Sequence, residues 1–478
     1  MVTTRTYLDH ASATPLDGRA RTAMLAALDE FGDPLRVHSD GLTARRLLDD
    51  ARATVADAIG AQSDEIVFTS GGTESVALAI WGGVRPVREL GTRIVTTTIE
   101  HPAVGGVLHT LETDGFESVL VPVDRNGTVD LDAFAAEIRR PGTLLASLHH
   151  ANHEVGTIQP VAEAARLCRE AGVLFHTDAC QTVGHLPVDA IGLDVDLLSI
   201  SGHKFGGPPG VGTLYVRRGV PIAAYPCGDD RERRRRSGVE NVPGVAAMAA
   251  ALAARIDDMG DQAARQWALT DRLRAGIAEL VEGVRVYGHP TQRVPHLVCF
   301  SVPDLDAEIL SMALDDRGFA IAAGSNCSGA AGEPSSVLEH MGAPSTTSFR
   351  IGVGPDTTED DAERLLHTLP GLVSELRQVR SAADAAMARF RSSVEGPTYR
   401  SPLPLRKRSR CRPSAGACRD SRPRDARRRS RSAPSWPRRR RDAPPRGTPR
   451  CTSVRSGRVT GGRARTQGRD APACRGRR

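Results

Sequence analysis

An α/β architecture, a mostly parallel sheet covered by helices with a smaller α+β domain behind it, is what this sequence predicts, and three observations predict it. Between Ile66 and Val216 seven short apolar or β-branched runs (IVFTS, RIVTT, SVLVPV, TLLASL, VLFHT, LLSIS and GTLYV) alternate with stretches rich in Ala, Leu and Arg. That rhythm belongs to repeated βα units. After Asn241 the pattern changes to a long Ala-rich helical stretch, then VRVYGHP, HLVCFSV, a helix from about Asp306, AIAAG and SFRIGVG. Beyond roughly Ser392 the text becomes Arg, Pro, Ser and Gly, as in RRRSRSAP and PRRRRDAPPRG.

The organisation that follows is a large domain over residues 1–255, a smaller domain over 256–380 and a tail over 392–478. In the large domain the loops at the strand ends are where a ligand belongs. The last helix of the small domain is expected to begin at Thr357 or Thr358, where an acidic residue three positions on offers a capping box. The tail has too few aliphatic residues to offset the entropy of ordering it, so disorder is expected there.

Charge divides the chain in the same way. Residues 401–478 hold 26 Arg or Lys against 4 Asp, a local +22; set against +6 for the whole chain, this leaves the first 400 residues at −16. The folded body is acidic, and the basic balance belongs to the tail. Three readings of that tail stay open: an arm for nucleic acid or an acidic partner, a solvated tail with no partner, and out-of-frame translation of GC-rich coding sequence. MVTTRTYLDH lacks the basic and apolar regions of a secretory signal. No run of about 18 apolar residues predicts a membrane span. Five body cysteines (Cys168, Cys180, Cys227, Cys299 and Cys327) show no CxxC pairing, which fits a reducing cytoplasm.

The chemistry begins with one lysine. The body contains only Lys204, the tail only Lys407, and arginine serves everywhere else. A lysine kept against such a bias points to a nucleophilic amine that forms a Schiff base, a role the guanidinium cannot take. Lys204 lies in SISGHKFGGPPGVG, after an apolar run and inside a Gly/Pro loop, with Ser201 and His203 beside it as phosphate-binding groups. A nucleotide loop is the competing reading, but GxxxxGK[ST] is missing and prolines remove backbone donors. A Schiff-base lysine working with pyridoxal phosphate needs an acid against the pyridine nitrogen. Asp178, at the end of VLFHT, is the candidate, with Gln181 three residues on for the cofactor's phenolic oxygen. IVFTSGGTESVALAIW supplies a strand, Gly71 and Gly72, and a helix opened by Thr73, a cradle for phosphate. Taken singly, Asp178 also reads as a helix cap and GGT as a plain turn.

These residues resemble the class V aminotransferases, of the fold-type I pyridoxal-phosphate enzymes, and within them the cysteine desulfurases. The resemblance runs through YLDHASATPL, FTSGGTES, TIEHPAV, ANHEVGTIQP, HTDACQTVGHLPVD, SGHKFGGPPGVG, RSGVENVPG, AAGSNCSGAAGEPSSVLEHMG and SFRIGVG, over about residues 5–380. It implies removal of sulfur from L-cysteine, giving alanine and a persulfide on Cys327 for a sulfur-acceptor protein, in a homodimer. By that resemblance Lys204 holds the cofactor and moves the substrate's Cα proton, and Asp178 pairs with the ring nitrogen. His101 stacks on the ring and assists proton transfer. Gly72, Thr73, Ser201 and His203 hold the phosphate, His153 and Gln181 reach the ring oxygen, and Arg350 and Asn152 bind the substrate. No metal site is implied, apart from transient contact of Cys327 with an iron–sulfur cluster. Cys327 sits in a small-residue loop that lets a thiol swing, unlike Cys299 within HLVCFSV, which reads as inert core.

Four departures from the family pattern stand out. His153 replaces an asparagine, so a charge that shifts with pH is expected beside the cofactor. Val239 replaces a threonine thought to reach the partner subunit's phosphate, and the glycine-rich stretch before it has become GDDRERRRRSG. Asn326 replaces an alanine beside the thiol. Two other functions compete: another class V aminotransferase or lyase such as a selenocysteine lyase, and a sulfur donor that binds nucleic acid through the basic tail.

Overall fold

The computed structural model describes residues 5–323 and 335–394, with side chains as far as 391. All seven apolar runs become strands of one sheet. After a short β1 (Thr6–Tyr7) these are β2 (Ile66–Thr69), β3 (Arg93–Thr97), β4 (Glu117–Val121), β5 (Thr143–Ser147), β6 (Leu174–Asp178), β7 (Leu197–Ser201) and β8 (Gly212–Val216). Their order is β2-β8-β7-β6-β5-β3-β4. β7, β6, β5, β3 and β4 pair in parallel, and β8 runs antiparallel to both β7 and β2.

The runs are almost continuously apolar because helices cover both faces of the sheet. Successive side chains point to opposite faces. Ile94, Leu197 and Leu214 therefore join Val76, Ile80, Val104 and Leu108 of the helices Gly72–Val84 and Pro102–Thr113. Their neighbours Val95, Leu198 and Tyr215 join Val55, Phe134, Ala164 and Leu252 on the other side. Burial at this scale, about 25 cal/mol per Å² of apolar surface, is what fixes the register.

A second core gathers Leu273, Ile277, Phe300, Leu310, Phe349, Leu365 and Leu369. Its sheet comprises β9 (Arg285–Tyr287), β10 (Leu297–Ser301), β12 (Ala322–Ala323) and β13 (Ser348–Gly352), ordered β12-β13-β10-β9 and antiparallel throughout. β1 pairs in parallel with β11 (Phe319–Ala320), and Leu8 packs in this second core, so the N-terminus reaches across the chain. Helices Val242–Asp257 and Met259–Leu280 meet at Asp258. The helix Ala307–Asp316 is capped by Asp306, and Glu359–Val394 opens on the expected box: Thr358 N–H donates to Asp361 Oδ2 (2.9 Å) and Asp361 N–H donates to Thr358 Oγ1 (3.2 Å). Cys327, Asn326 and the tail from 395 onward lie outside the described residues.

Candidate active site

Five parallel-running strands deliver their C-terminal ends to one cavity of about 380 Å3. Through the loops after β2, β3, β5, β6 and β7 it is lined by Gly72 and Thr73, His101, His153, Asp178 and Gln181, and Ser201, His203 and Lys204. A sheet that twists while its helices pack on both faces leaves its carboxyl edge uncovered, which is why the loops converge there.

Each position has a local cause. Gly71 stands at φ 152, a conformation costly for any residue with a Cβ, and turns the chain from β2 into the helix Gly72–Val84. The first N–H groups of that helix lack intrahelical acceptors and point at the cavity end. A Cβ on Gly72 would come within 2.6 Å of Cys180 Sγ and 3.1 Å of Ser201 Cβ, so the cradle is closed from behind. Glu74, in the first turn, accepts from Ser70 N–H (2.7 Å) and from Arg236 Nε (2.8 Å). Burial alone would raise its carboxyl, but those bonds hold it below the usual carboxylate range.

Lys204 follows β7 in a single turn of 3-10 helix, and its Nζ donates to the carbonyls of Ala11 (2.7 Å) and Ser12 (3.0 Å). The N-terminal segment YLDHASATP therefore reaches the lysine, a contact that its spacing in sequence does not reveal. Asp178 Oδ1 accepts from Cys180 N–H (3.0 Å), fixing the carboxylate at the end of β6. Ser201 Oγ and His203 Nδ1 lie 3.0 Å apart. Burial first, then the charge of Lys204, brings His203 down to about 4, so the ring is neutral at pH 7.

His101 is a helix cap as well as a lining residue. Its Nδ1 accepts from Ala103 N–H (3.1 Å), which leaves Nε2 to carry the ring proton of the neutral form. Burial is the main cause that lowers its affinity for a second proton. Its ring meets His153 edge-on at 5.1 Å. The expected pH-dependent charge on His153 does not hold at neutral pH: burial, aided by His101 and Arg350, puts its pKa well below the ordinary imidazole value.

Two expected substrate-binding residues stand back from the cavity. Asn152 is fully buried; its Oδ1 accepts from Glu154 and Val155 N–H (2.9 and 3.0 Å) and its Nδ2 donates to Ile99 O (3.0 Å), so the amide shapes the loop. Arg350, on β13, donates to His153 O (2.8 Å), Ser12 Oγ (2.6 Å) and Asp9 Oδ1 (3.2 Å). The arginine cluster is largely spent on structure: Arg231, with 5% of its side chain exposed, pairs with Asp33, Asp229 and Glu240. Val239 is 65% exposed. Sequence reasoning missed His149, Cys180 and Glu74 as lining residues. For the last two, immediate adjacency to Gln181 and Thr73 was a usable signal.

This cavity suits a phosphorylated aldehyde cofactor: an amine, a carboxylate, hydroxyl and imidazole donors and a helix N-terminus face one space. The chain belongs to the class-V aminotransferase family, whose model matches residues 6–365; enzymes of this family depend on pyridoxal phosphate. Its similarity to curated proteins narrows that class. The Cysteine desulfurase IscS of Dictyoglomus turgidum is 40% identical over 377 residues, covering 78% of this chain and 95% of that protein. Among solved structures, a NifS-like protein aligns with TM-score 0.73 and 31% identity over 78% of this chain and 100% of its own. DndA from Streptomyces lividans aligns with TM-score 0.61 and 34% identity over 73% and 99%. Within the class-V family the chain is thus one of the cysteine desulfurases.

Proposed function

We propose that the protein binds pyridoxal 5'-phosphate on Lys204 and uses it to move sulfur from L-cysteine onto Cys327, releasing alanine. One observation carries this reading: Lys204 Nζ, the Asp178 carboxylate and the N-terminus of the helix Gly72–Val84 line a single cavity. Bound there, the cofactor supplies an electron sink that acidifies the Cα–H of an amino acid. Asp178 holds a proton on the ring nitrogen, and the helix N–H groups with Thr73, Ser201 and His203 bind the phosphate. His101, with its Nδ1 committed to the cap, presents Nε2–H on the cavity side. Lys204 takes the Cα proton and returns it to the product carbon. Cys327 gives up its thiol proton and attacks the substrate sulfur as thiolate; the C–S electrons stay with Cβ, which takes up one proton in place of that one, and the sulfur remains on Cys327 as a persulfide for an acceptor protein.

Arg350 fits the substrate carboxylate by exchanging its Ser12 and Asp9 contacts for a bidentate one. Exposed Leu28, Phe31, Leu35 and Val37 support a homodimer. The four described cysteines are all unpaired, which supports a reducing cytoplasm. Among the described residues no helix is long and apolar enough to cross a membrane. The two cores support a division into a cofactor domain, 1–255, and a smaller domain, 256–380, with β1 lent to the second.

The test is a visible spectrum of the purified protein, then an alanine and sulfide assay with L-cysteine and a reductant. A yellow band lost in Lys204→Ala, with alanine formed only when Cys327→Ser is not present, is the expected result. A yellow protein whose activity ignores Cys327 would mean a different reaction on this fold.

A further inference from the structure

Behind the cavity wall two histidines stack face to face. His185 and His296 have ring centroids 3.8 Å apart and an interplanar angle of 17°, and His296 is fully buried. Their outward nitrogens touch the two loops that carry the proposed cofactor-binding groups. His185 Nε2 lies 3.2 Å from the carbonyl oxygen of Lys204; a carbonyl only accepts, so this nitrogen carries the proton. His296 Nε2 lies 3.4 Å from Gln181 Oε1.

The orientation of Gln181 is settled by the same logic. Its Nε2 is 3.0 Å from the carbonyl oxygen of Ala11, which also accepts from Lys204 Nζ at 2.7 Å. Only the amide nitrogen can face that carbonyl, so Oε1 faces His296, and His296 must be protonated on Nε2 to meet it. His296 Nδ1 then has no hydrogen-bond partner among the described residues. Leaving a buried acceptor unpaired is a net cost to stability that an apolar side chain would avoid. The retained imidazole is explained by what Nε2–H does.

We propose that His296 is a positioning residue: by donating to Gln181 Oε1 it prevents the amide from flipping and keeps the second Nε2 hydrogen turned to the cavity, as a donor to the ring oxygen of the cofactor. This rests on the reading that Gln181 meets that oxygen. A flipped amide would present Oε1 to a phenolate oxygen, two acceptors face to face, and would also lose the bond to Ala11 O.

The experiment measures the pyridoxal-phosphate dissociation constant and the pH titration of the bound cofactor's visible band for the full chain and for His296→Phe, His296→Asn, Gln181→Ala and Gln181→Ala/His296→Phe. Phenylalanine keeps the stack on His185 and removes only the donor; asparagine keeps a donor. Expected are about 10-fold weaker binding and a shifted titration for His296→Phe, recovery of most of both in His296→Asn, and no further loss when His296→Phe is added to Gln181→Ala. An unchanged constant and titration in His296→Phe, or equal losses with and without Gln181, would overturn the proposal and leave His296 as ordinary core. If the phenylalanine variant does not fold, His296→Leu replaces it in the same cycle. A wild-type chain that binds no cofactor through Lys204 would sink the underlying reading itself, an outcome distinct from coloured wild type with indifferent His296 variants.

Discussion

Replacing Glu232 by glutamine is expected to cost the fold about 3–5 kcal/mol, because it strands a buried guanidinium. Arg52 Nη1 and Nη2 donate to the two carboxylate oxygens of Glu232 at 2.8 and 2.7 Å, and Nη1 also donates to Ile66 O at 2.8 Å. The side chains are 6% and 1% exposed, so water cannot substitute for the lost partner. The carboxylate in turn accepts from Phe68 N–H at 3.0 Å, and Arg52 lies 4.6 Å over the Phe68 ring. The pair thereby clamps β2, the strand that runs into Gly71 and Gly72. Removing both charges together, as Arg52→Met/Glu232→Leu, takes its side-chain acceptor from the Phe68 N–H, at about 1–3 kcal/mol, while Ile66 C=O keeps Arg233 Nη1 at 3.4 Å. The double variant should then cost several kcal/mol less than the sum of the two singles. Denaturant midpoints with unchanged slope for Arg52→Met, Glu232→Leu and the double measure it, beside Glu232→Gln. A loss under about 1 kcal/mol for Glu232→Gln, or a double variant that costs the sum of the singles, would refute the claim that the buried charge is what matters.

Gly72→Ala should weaken cofactor binding by about 10-fold or more, since the added Cβ would sit 2.6 Å from Cys180 Sγ; a titration of visible absorbance reads it, and Cys180→Ala should restore part of the loss. Arg236→Ala removes the cation that offsets Glu74 beside the phosphate cradle, so affinity for the phosphorylated cofactor should fall by roughly 10-fold, with Arg236→Lys intermediate. Equal affinity in both variants would show that the pair is only structural. Stability should fall on acidification. Burial lowers His150, His176 and His185 to about 4, so the unfolded chain takes up protons near 6.5 that the folded chain refuses. That contribution is whole above pH 6.5 and is lost as pH falls towards 4, on the order of 2 kcal/mol per histidine by pH 5. Midpoints at pH 7 and pH 5 test the sign, and His176→Gln should flatten the slope.

What could be read without coordinates followed from local chemistry. The seven apolar runs are all strands, because a strand covered on both faces is mostly apolar along its length; its few polar residues bond one another, as His176 does with Ser147 and Ser199. The capping box at Thr358 and Asp361 was legible for the same reason: both partners lie within one turn. Lys204 betrayed itself by the chain's preference for arginine, and GGT by following a strand. Arg350 and Asn152 were harder. Their residue types suit a substrate carboxylate, but Arg350 is held by Ser12, Asp9 and the carbonyl of His153, which no local spacing brings near, and Asn152 is taken up by a local turn with Glu154 and Val155 and by distant Ile99.

The chain by itself therefore determined the βα rhythm, the strand ends at which chemistry gathers, and the motif set that places it among the cysteine desulfurases. Only the tertiary structure decided that the Ala11 carbonyl joins Lys204 to Gln181, that His296 Nε2 lies against Gln181 Oε1, that Arg231 pairs with Asp33 and Glu240 and Arg236 with Glu74, and that burial pushes His153 well below the ordinary imidazole value. The physical reason is range. Periodicity, caps and turns act over a few residues, whereas burial and hydrogen-bond pairing depend on groups that the chain brings together from 100 or more positions apart, such as Gln181 and His296 at a separation of 115.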